Sequence, residues 1–383
     1  MPIPTELVGS LPRPTYLQKA YADYDAGKIN QEEFIKVQDR AVEDSLERLK
    51  ETGETSITDG DQRWVGFILY PFIETFGGKG LADNMDPEGI KFPFDDGHFR
   101  QIPRLTRGPF KYRTYAFKNL ERSIALSKGF PMKQTVIAPS MAYLTYPIDE
   151  EIPGYPRAQF VEDIIDECER DVRGCFATGA KRVSIDFTEG RTALKNDPNN
   201  PWTQASLLDT FVSMINRVLD RFTPAERVNI GIHTCPGADC DSNHSIEVNY
   251  HSLLPSLFKL NAGYFLMQLA SHPPEYRTSV YKDIGKHIRK DANGVKQIAF
   301  VGLTDTLNPT IETPEQVCES LLEASKYIPL DQLGATDDCG FSPFSDDVKP
   351  RHGGNPDAAR DVAFAKITAR MKGVKMASEK LNL

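Results

Sequence analysis

The residues of this chain best suited to chemistry are His233, Cys235 and Cys339, which offer one imidazole and two thiols. The pair His233-x-Cys235 closes the apolar run 228–232, which reads as a strand. On an extended strand, residues i and i+2 face the same side, so both side chains can reach one ion. Cys339 comes much later, in Thr336-Asp337-Asp338-Cys339-Gly340, again just past an apolar segment. Two cysteines and one histidine with an open fourth position are the pattern of a catalytic zinc rather than a closed structural one. Zinc in that setting takes up a further thiol and strips its proton, leaving a nucleophilic thiolate. Neither a CxxC pair nor an HExxH helix accompanies them, so the bland alternative is two ordinary cysteines and a core histidine.

Several groups could complete the metal's shell. Gln268 closes its strand where a carboxylate would suit the metal, and its amide oxygen is a weak ligand. Asp239, Cys240 and His244 follow the metal strand; the simpler reading makes that segment a polar loop with a helix-capping residue. Asp186 ends the apolar strand Val183-Ser184-Ile185. A carboxylate there is dehydrated unless paired, either by a substrate ammonium or by Arg191 or Lys195. Glu189 follows closely, and Asp59-Gly60-Asp61 repeats the acidic theme earlier in the chain. Val8-Gly9-Ser10 offers backbone amides beside a glycine, where a ligand could lie against main chain. Arg13, Arg63 and Arg191 could each hold an acidic substrate group in a bidentate fork, or be plain surface.

These groups need a frame. Eight short apolar or β-branched runs recur, at 6–10, 55–59, 133–138, 182–186, 228–233, 264–268, 297–303 and 332–336. Amphipathic helical patterns separate most of them, at 31–50, 158–178 and 207–222, with a final helix at 356–380. In the second of these helices Phe160, Ile164, Ile165 and Cys168 share one face. Thr313-Pro314-Glu315-Gln316 reads as an N-cap, a proline at N1 and a capping-box glutamine. Alternating strands and helices predict an α/β fold, a (β/α)8 TIM barrel spanning 1–383 as one domain. A β-hairpin insertion between strands 2 and 3, at about 88–118, fills a gap too long for one helix. Barrel active sites gather at the C-terminal strand ends. Ser10, Asp61, Ser140, Asp186, His233 with Cys235, Gln268, Asp305 and Cys339 all fall there.

Composition narrows the partners. The chain has 383 residues, 26% of them charged, and a net charge of −9. An acidic chain without a basic run argues against nucleic acid and anionic membranes. The N-terminus has no apolar signal region, and no apolar stretch reaches transmembrane length. Six scattered cysteines in a chain of this kind are not a disulfide framework. Cys168, Cys175 and Cys318 read as small buried thiols. A reducing cytoplasm is the expected compartment. The sequence leaves the oligomeric state open.

The motifs Val8-Gly9-Ser10, Asp59-Gly60-Asp61, Ile185-Asp186, His233-x-Cys235 and Asp338-Cys339-Gly340 resemble the catalytic barrel of the cobalamin-independent methionine synthase family. The resemblance runs almost end to end. It implies a Zn2+ held by His233, Cys235 and Cys339, and a thiol amino acid held by Ser10, Asp61 and Asp186. It also implies methyl or alkyl transfer to a zinc-activated thiol, with a small-molecule thiol and an alkyl donor as partners. Two positions depart from the family. Its glutamate ligand falls on Gln268, and the histidine that protonates the departing folate falls on Leu307. Leucine cannot donate a proton, which argues against methyltetrahydrofolate. His244 or Glu189 would then be the general acid. The segments Asp186-Phe187-Thr188-Glu189-Gly190-Arg191 and Gln268-Leu269-Ala270-Ser271 are similar to the epoxyalkane:coenzyme M transferase branch, which opens epoxides. A metal-free barrel resembling uroporphyrinogen decarboxylase is the rival enzyme class, and a catalytically silent ligand-binding barrel the rival outside catalysis.

Overall fold

The computed structural model describes residues 1–64, 90–196, 205–239, 242–289, 294–341 and 357–383. Cys240, the Gly-rich loop 345–354, Pro356 and the first two residues of the expected insertion lie outside them.

Two helices open the chain, α1 (Thr15–Asp25) and α2 (Gln31–Glu51). The N-cap of α2 is Asn30, whose side chain accepts from the Glu33 amide while Glu33 reaches back to the Asn30 amide. That capping box starts the helix where the sequence pattern does. A two-stranded antiparallel ribbon follows, β1 (Ile90–Pro93) with β2 (Phe99–Ile102).

The centre of the molecule is a six-stranded parallel sheet. Its strands are β3 (Lys133–Ile137), β4 (Arg182–Asp186), β5 (Ile230–Thr234), β8 (Tyr264–Met267), β9 (Ile298–Gly302) and β10 (Leu333–Thr336), adjacent in that order. Two short strands, β6 (Ala238–Asp239) and β7 (Ser242–Asn243), form a small ribbon after β5. The central strands are buried along nearly their whole length, as continuous apolar strands covered on both faces must be. Helices α3 (Ala116–Leu126), α4 (Pro139–Tyr143), α5 (Arg157–Thr178), α6 (Glu189–Thr192), α7 (Ala205–Leu219), α8 (Pro224–Arg227) and α9 (Tyr250–Leu257) intersperse the strands. They are followed by α10 (Pro274–His287), α11 (Pro314–Ala324) and α12 (Ala358–Lys380). Helix α5 buries Phe160, Ile164, Ile165, Cys168, Val172 and Cys175, the face its periodicity predicts. Thr313 and Gln316 form the expected capping box on α11. No helix among the described residues is long and apolar enough to cross a membrane.

The first two expected strands differ from expectation. Runs 6–10 and 55–59 contribute single parallel bridges, Thr5 to Ala335 at the β10 edge and Ile57 to Met132 at the β3 edge. Glycine explains the shortness. Gly9 takes φ +152 and Gly60 φ +71, so each run leaves extended geometry after a few residues. The two runs touch one another, through Thr58 Oγ1 donating to the Gly9 carbonyl at 2.6 Å and the Leu11 amide to the Gly60 carbonyl at 3.0 Å.

Candidate active site

The C-terminal ends of the central strands bring the three candidate metal ligands together. His233 lies on β5, and Cys235 follows one residue past its end. Cys339 sits in the turn after β10. The Cys235 and Cys339 sulfurs are 3.2 Å apart, and the three possible ligand atoms lie within 4.8 Å of one another. Cys235 and His233 are buried, and neither ring nitrogen of His233 has a hydrogen-bond partner. Its polar neighbours are the Cys235 thiol and Asp186, whose Oδ1 is 3.9 Å from Nε2. A buried imidazole with both nitrogens unmatched is costly unless something binds it. Two sulfurs and an imidazole at this spacing suit zinc. Contact with Cys339, then burial, pushes the Cys235 thiol well up. Burial opposes charge on His233, but Cys235 and Asp186 outweigh it and raise the imidazole.

The turn that carries Cys339 is clamped. Asp338 accepts the amides of Leu269, Ala270 and Ser271 at 2.7 to 2.8 Å. Its carboxylate packs on Gly302, where a Cβ would come within 2.0 Å of Oδ1. Gly340 likewise makes room for Ser10, whose Oγ would be 1.8 Å from a Cβ there, and Phe341 N donates to Ser10 O at 2.8 Å. Ser10 therefore lies directly beside the Cys339 turn. Asp338 pulls the loop after β8 toward the same turn, a role that only its acidic pair with Asp337 could have signalled in sequence.

Asp186 pairs in register with His233 and makes no ion pair with Arg191 or Lys195. Burial raises its carboxyl, with His233 and Lys133 opposing. Asp61 is buried with φ +56, a conformation held by its amide donating to Asp59 Oδ1 at 3.0 Å. Burial, then Asp59 and Asp186, push its carboxyl up to about 7 against Arg13 and Lys133. Glu189, on α6, is buried and receives the Ser140 hydroxyl on Oε1, while Oε2 has no partner. Burial carries it up to about 8, with the Ser140 bond opposing. His244 packs on Gly237, two residues past Cys235, with Nδ1 2.6 Å from Ser245 Oγ. Burial, then Lys195 and Arg191, press its imidazole down to about 3.

The arginines separate. Arg63 is turned toward the helices, with Nη2 2.7 Å from Asp39 Oδ1 on α2 and Nε donating to Ser123 on α3. The structure does not bring it to the cluster. Arg13 reaches the carbonyl of Trp64 at 2.5 Å. Arg191 is fully buried at the cluster and donates from Nη2 to Gln268 Oε1 at 2.6 Å. Gln268 also donates to Ser271 Oγ, so both ends of its amide are engaged. Leu307 lies half-buried after β9, its amide bound to Asp305 Oδ1 at 3.0 Å.

No family model matches the chain. Relatives do, over nearly its whole length. The Sulfurisphaera tokodaii methionine synthase is 22% identical over 383 residues, covering 99% of this chain and 94% of that one. The uncharacterised protein YxjG of Bacillus subtilis is 24% identical over 351 residues, covering 89% and 88%. A B12-independent methionine synthase from Shewanella, solved with selenomethionine, superposes with a TM-score of 0.69 at 18% identity, covering 100% and 99%. These relatives support a cobalamin-independent methionine synthase-like family for the chain. In this chain the motifs quoted from the sequence meet at one end of the central parallel sheet. Tyr250 and His272 also stand there, and the sequence reading passed over both. Tyr250 opens α9 beneath Arg191, and His272 follows the clamped loop. Only an aromatic at a helix start and a histidine after a strand could have signalled them.

Proposed function

We propose that this protein is a zinc-dependent transferase that moves a methyl or alkyl group onto a thiol. The observation that carries this reading is the convergence of His233, Cys235 and Cys339, with both His233 nitrogens unmatched. Those three side chains would hold the zinc. When bound, the metal lowers the pKa of a coordinated thiol toward neutrality and makes it a nucleophile. Ser10 and the main chain beside it, together with Asp61 and Asp186, would position the rest of the thiol substrate. Both carboxyls are buried, so an incoming ammonium would relieve their desolvation.

The departing atom needs a proton. Glu189 is the better donor, because a buried carboxyl raised to about 8 is still protonated at neutral pH. His244, held down to about 3, is neutral there and carries no spare proton. Opening an epoxide also leaves an oxygen to protonate, so Glu189 serves that variant too. Leu307 at the folate-protonating position favours a donor other than methyltetrahydrofolate. A metal-free decarboxylase has no use for two thiols and an imidazole in contact. Gln268, with both amide ends engaged, is read as lying outside the metal shell.

The same reading extends to the frame. Runs 6–10 and 55–59 bridge the two edges of the sheet and each other, which supports closure into a (β/α)8 barrel of one domain. The ribbon of β1 and β2 is then the insertion between strands 2 and 3. The free thiols suit a reducing cytoplasm.

The test is metal analysis with parallel assays. Purified protein should carry about one zinc per chain. It should alkylate a thiol from methyltetrahydrofolate or an O-methyl donor with homocysteine, or from an epoxide with a short thiol. Metal-free protein active in any of these assays would remove zinc from the reaction.

A further inference from the structure

A second cavity chemistry lies outside the strand-end cluster. Helices α10 and α11 enclose a cavity of 380 Å³. Small-molecule sites span roughly 300–1,000 Å³. Its walls include none of His233, Cys235, Cys339, Ser10, Asp61 or Asp186. Arg277 and Tyr281 line it from α10, Glu319 and Glu323 from α11, and Leu303 and Val317 add apolar surface. Residues four apart on a helix share a face, so each helix turns two polar side chains toward the space between them. The cavity shares only a loop with the candidate active site. Ala270 lines it, and the Ala270 amide is held by Asp338 at 2.7 Å.

The charges around the cavity fall into two kinds. Glu312 accepts from Lys366 Nζ and from the Asp305 amide, both at 2.9 Å. Glu323 accepts from Lys326, and from Thr278 Oγ1 at 3.5 Å. Those two carboxylates are engaged within the chain. Among the described residues, Arg277 and Glu319 have neither an ion-pair nor a hydrogen-bond partner, and they stand on opposite walls with opposite charge. Tyr281 adds an independent sign. It is 1% exposed, and its phenol oxygen has no hydrogen-bond partner. A buried hydroxyl left unmatched forfeits its solvation. Burial pushes this phenol up to about 12; Arg277 opposes, and Asp338 and Glu323 reinforce. Two of those three charges line the cavity, so the phenol oxygen faces it too.

We propose that the cavity between α10 and α11 is a binding site for a free α-amino acid with an apolar side chain. The carboxylate would lie between Arg277 and the Tyr281 phenol, which both donate. The ammonium would face Glu319, and the side chain would rest on Leu303 and Val317. An anion alone would meet the cavity's glutamates, and a cation alone would meet Arg277. A zwitterion, with its two charges a carbon apart, answers both walls. The ligand needs neither a thiol nor a metal, so the site stands independently of the thiol-transfer reading.

The test is calorimetric titration of the full-length protein with L-leucine and L-phenylalanine, neither of which carries a thiol. The tighter of the two is then compared with its one-charge relatives. These are 4-methylpentanoate and 3-methylbutylamine for leucine, or 3-phenylpropanoate and 2-phenylethylamine for phenylalanine. The amino acid should bind at least about tenfold more tightly than either, because each relative gives up one charge-assisted contact. Arg277 is half-buried and Glu319 exposed, so both can be replaced without disturbing the core. Arg277→Met should weaken the amino acid about tenfold or more and leave the amine within about twofold. Glu319→Gln should weaken the amino acid about threefold or more and leave the acid within about twofold. That crossed pattern distinguishes this cavity from any other place an amino acid could lodge. No binding of either amino acid, equal binding of a one-charge relative, or wild-type affinity retained by either variant overturns the proposal.

Discussion

Two fully buried arginines face opposite situations. Arg370, on α12, is 2.7 Å from Glu54 and 2.8 Å from Asp337, and all three side chains are sealed from solvent. Thr5 completes the group by donating to Glu54 at 2.9 Å. Arg191 is sealed to the same degree, yet among the described residues it has no carboxylate partner, and its Nε and Nη1 are unmatched. The first region is a closed account of charge, which ties the C-terminal helix and residues 5 and 54 to the strand that leads into Cys339. The second leaves donors unspent at the strand ends where the thiols and His233 meet. The difference teaches that burying a charge does not by itself make a structural tie. Only the ion that partners inside the chain neutralise holds the fold together.

Mutation should separate the two regions by sign. Arg370→Met strands Glu54 and Asp337 without their cation and should cost about 3–5 kcal/mol in denaturant unfolding. Arg191→Met removes an uncompensated cation and should be neutral or slightly stabilising. A comparable loss in both would erase the contrast. Next in size, Cys339→Ser should weaken zinc binding by about a hundredfold or more while the protein stays folded, measured by chelator competition. Zinc retained at wild-type affinity would take Cys339 out of the metal shell.

Glu189 sharpens the contrast through pH. Its carboxyl is raised to about 8, so the folded state holds a proton that the unfolded chain loses near the ordinary carboxylate value. Stability from this group is therefore present at low pH and declines as pH rises toward 8. The rate should fall about tenfold per pH unit above that point, because the acid form is the one required. Glu189→Gln should lose both the alkaline limb and the stability decline. A wild-type profile flat to pH 9 would exclude Glu189 as the acid. The smallest effect is expected from Ser140→Ala. Removing the bond that favours the ionised carboxylate should move the alkaline limb upward by less than about one pH unit.

Much of this was legible in the sequence, and the reasons differ by element. Six apolar runs became central strands because a strand buried on both faces needs nothing but continuous apolar residues; run 182–186 coincides with β4. Runs 6–10 and 55–59 read alike but only bridge, since their glycines turn the chain before a ladder can form. Helix 207–222 was overextended: α7 ends at Leu219, and Thr223 caps the next helix. The short helices α4, α6 and α8 lie below the length at which periodicity speaks. His233 and Cys235 were legible because their spacing is local. The Arg191 bond to Gln268 and the Asp338 clamp join residues about 70 apart or more, and only the fold could reveal them. Arg63 looked like Arg191 in sequence, yet Asp39 on a neighbouring helix claims it.

His233, Cys235 and Cys339 together would grip a metal through one nitrogen and two sulfurs. Zinc-edge X-ray absorption on protein purified without chelators tests this most directly. The spectrum should show one zinc per chain, with two sulfurs at about 2.3 Å and one nitrogen at about 2.0 Å, and a third sulfur when a thiol is added. A zinc surrounded only by oxygen and nitrogen, or protein that binds none when zinc is supplied, would contradict it.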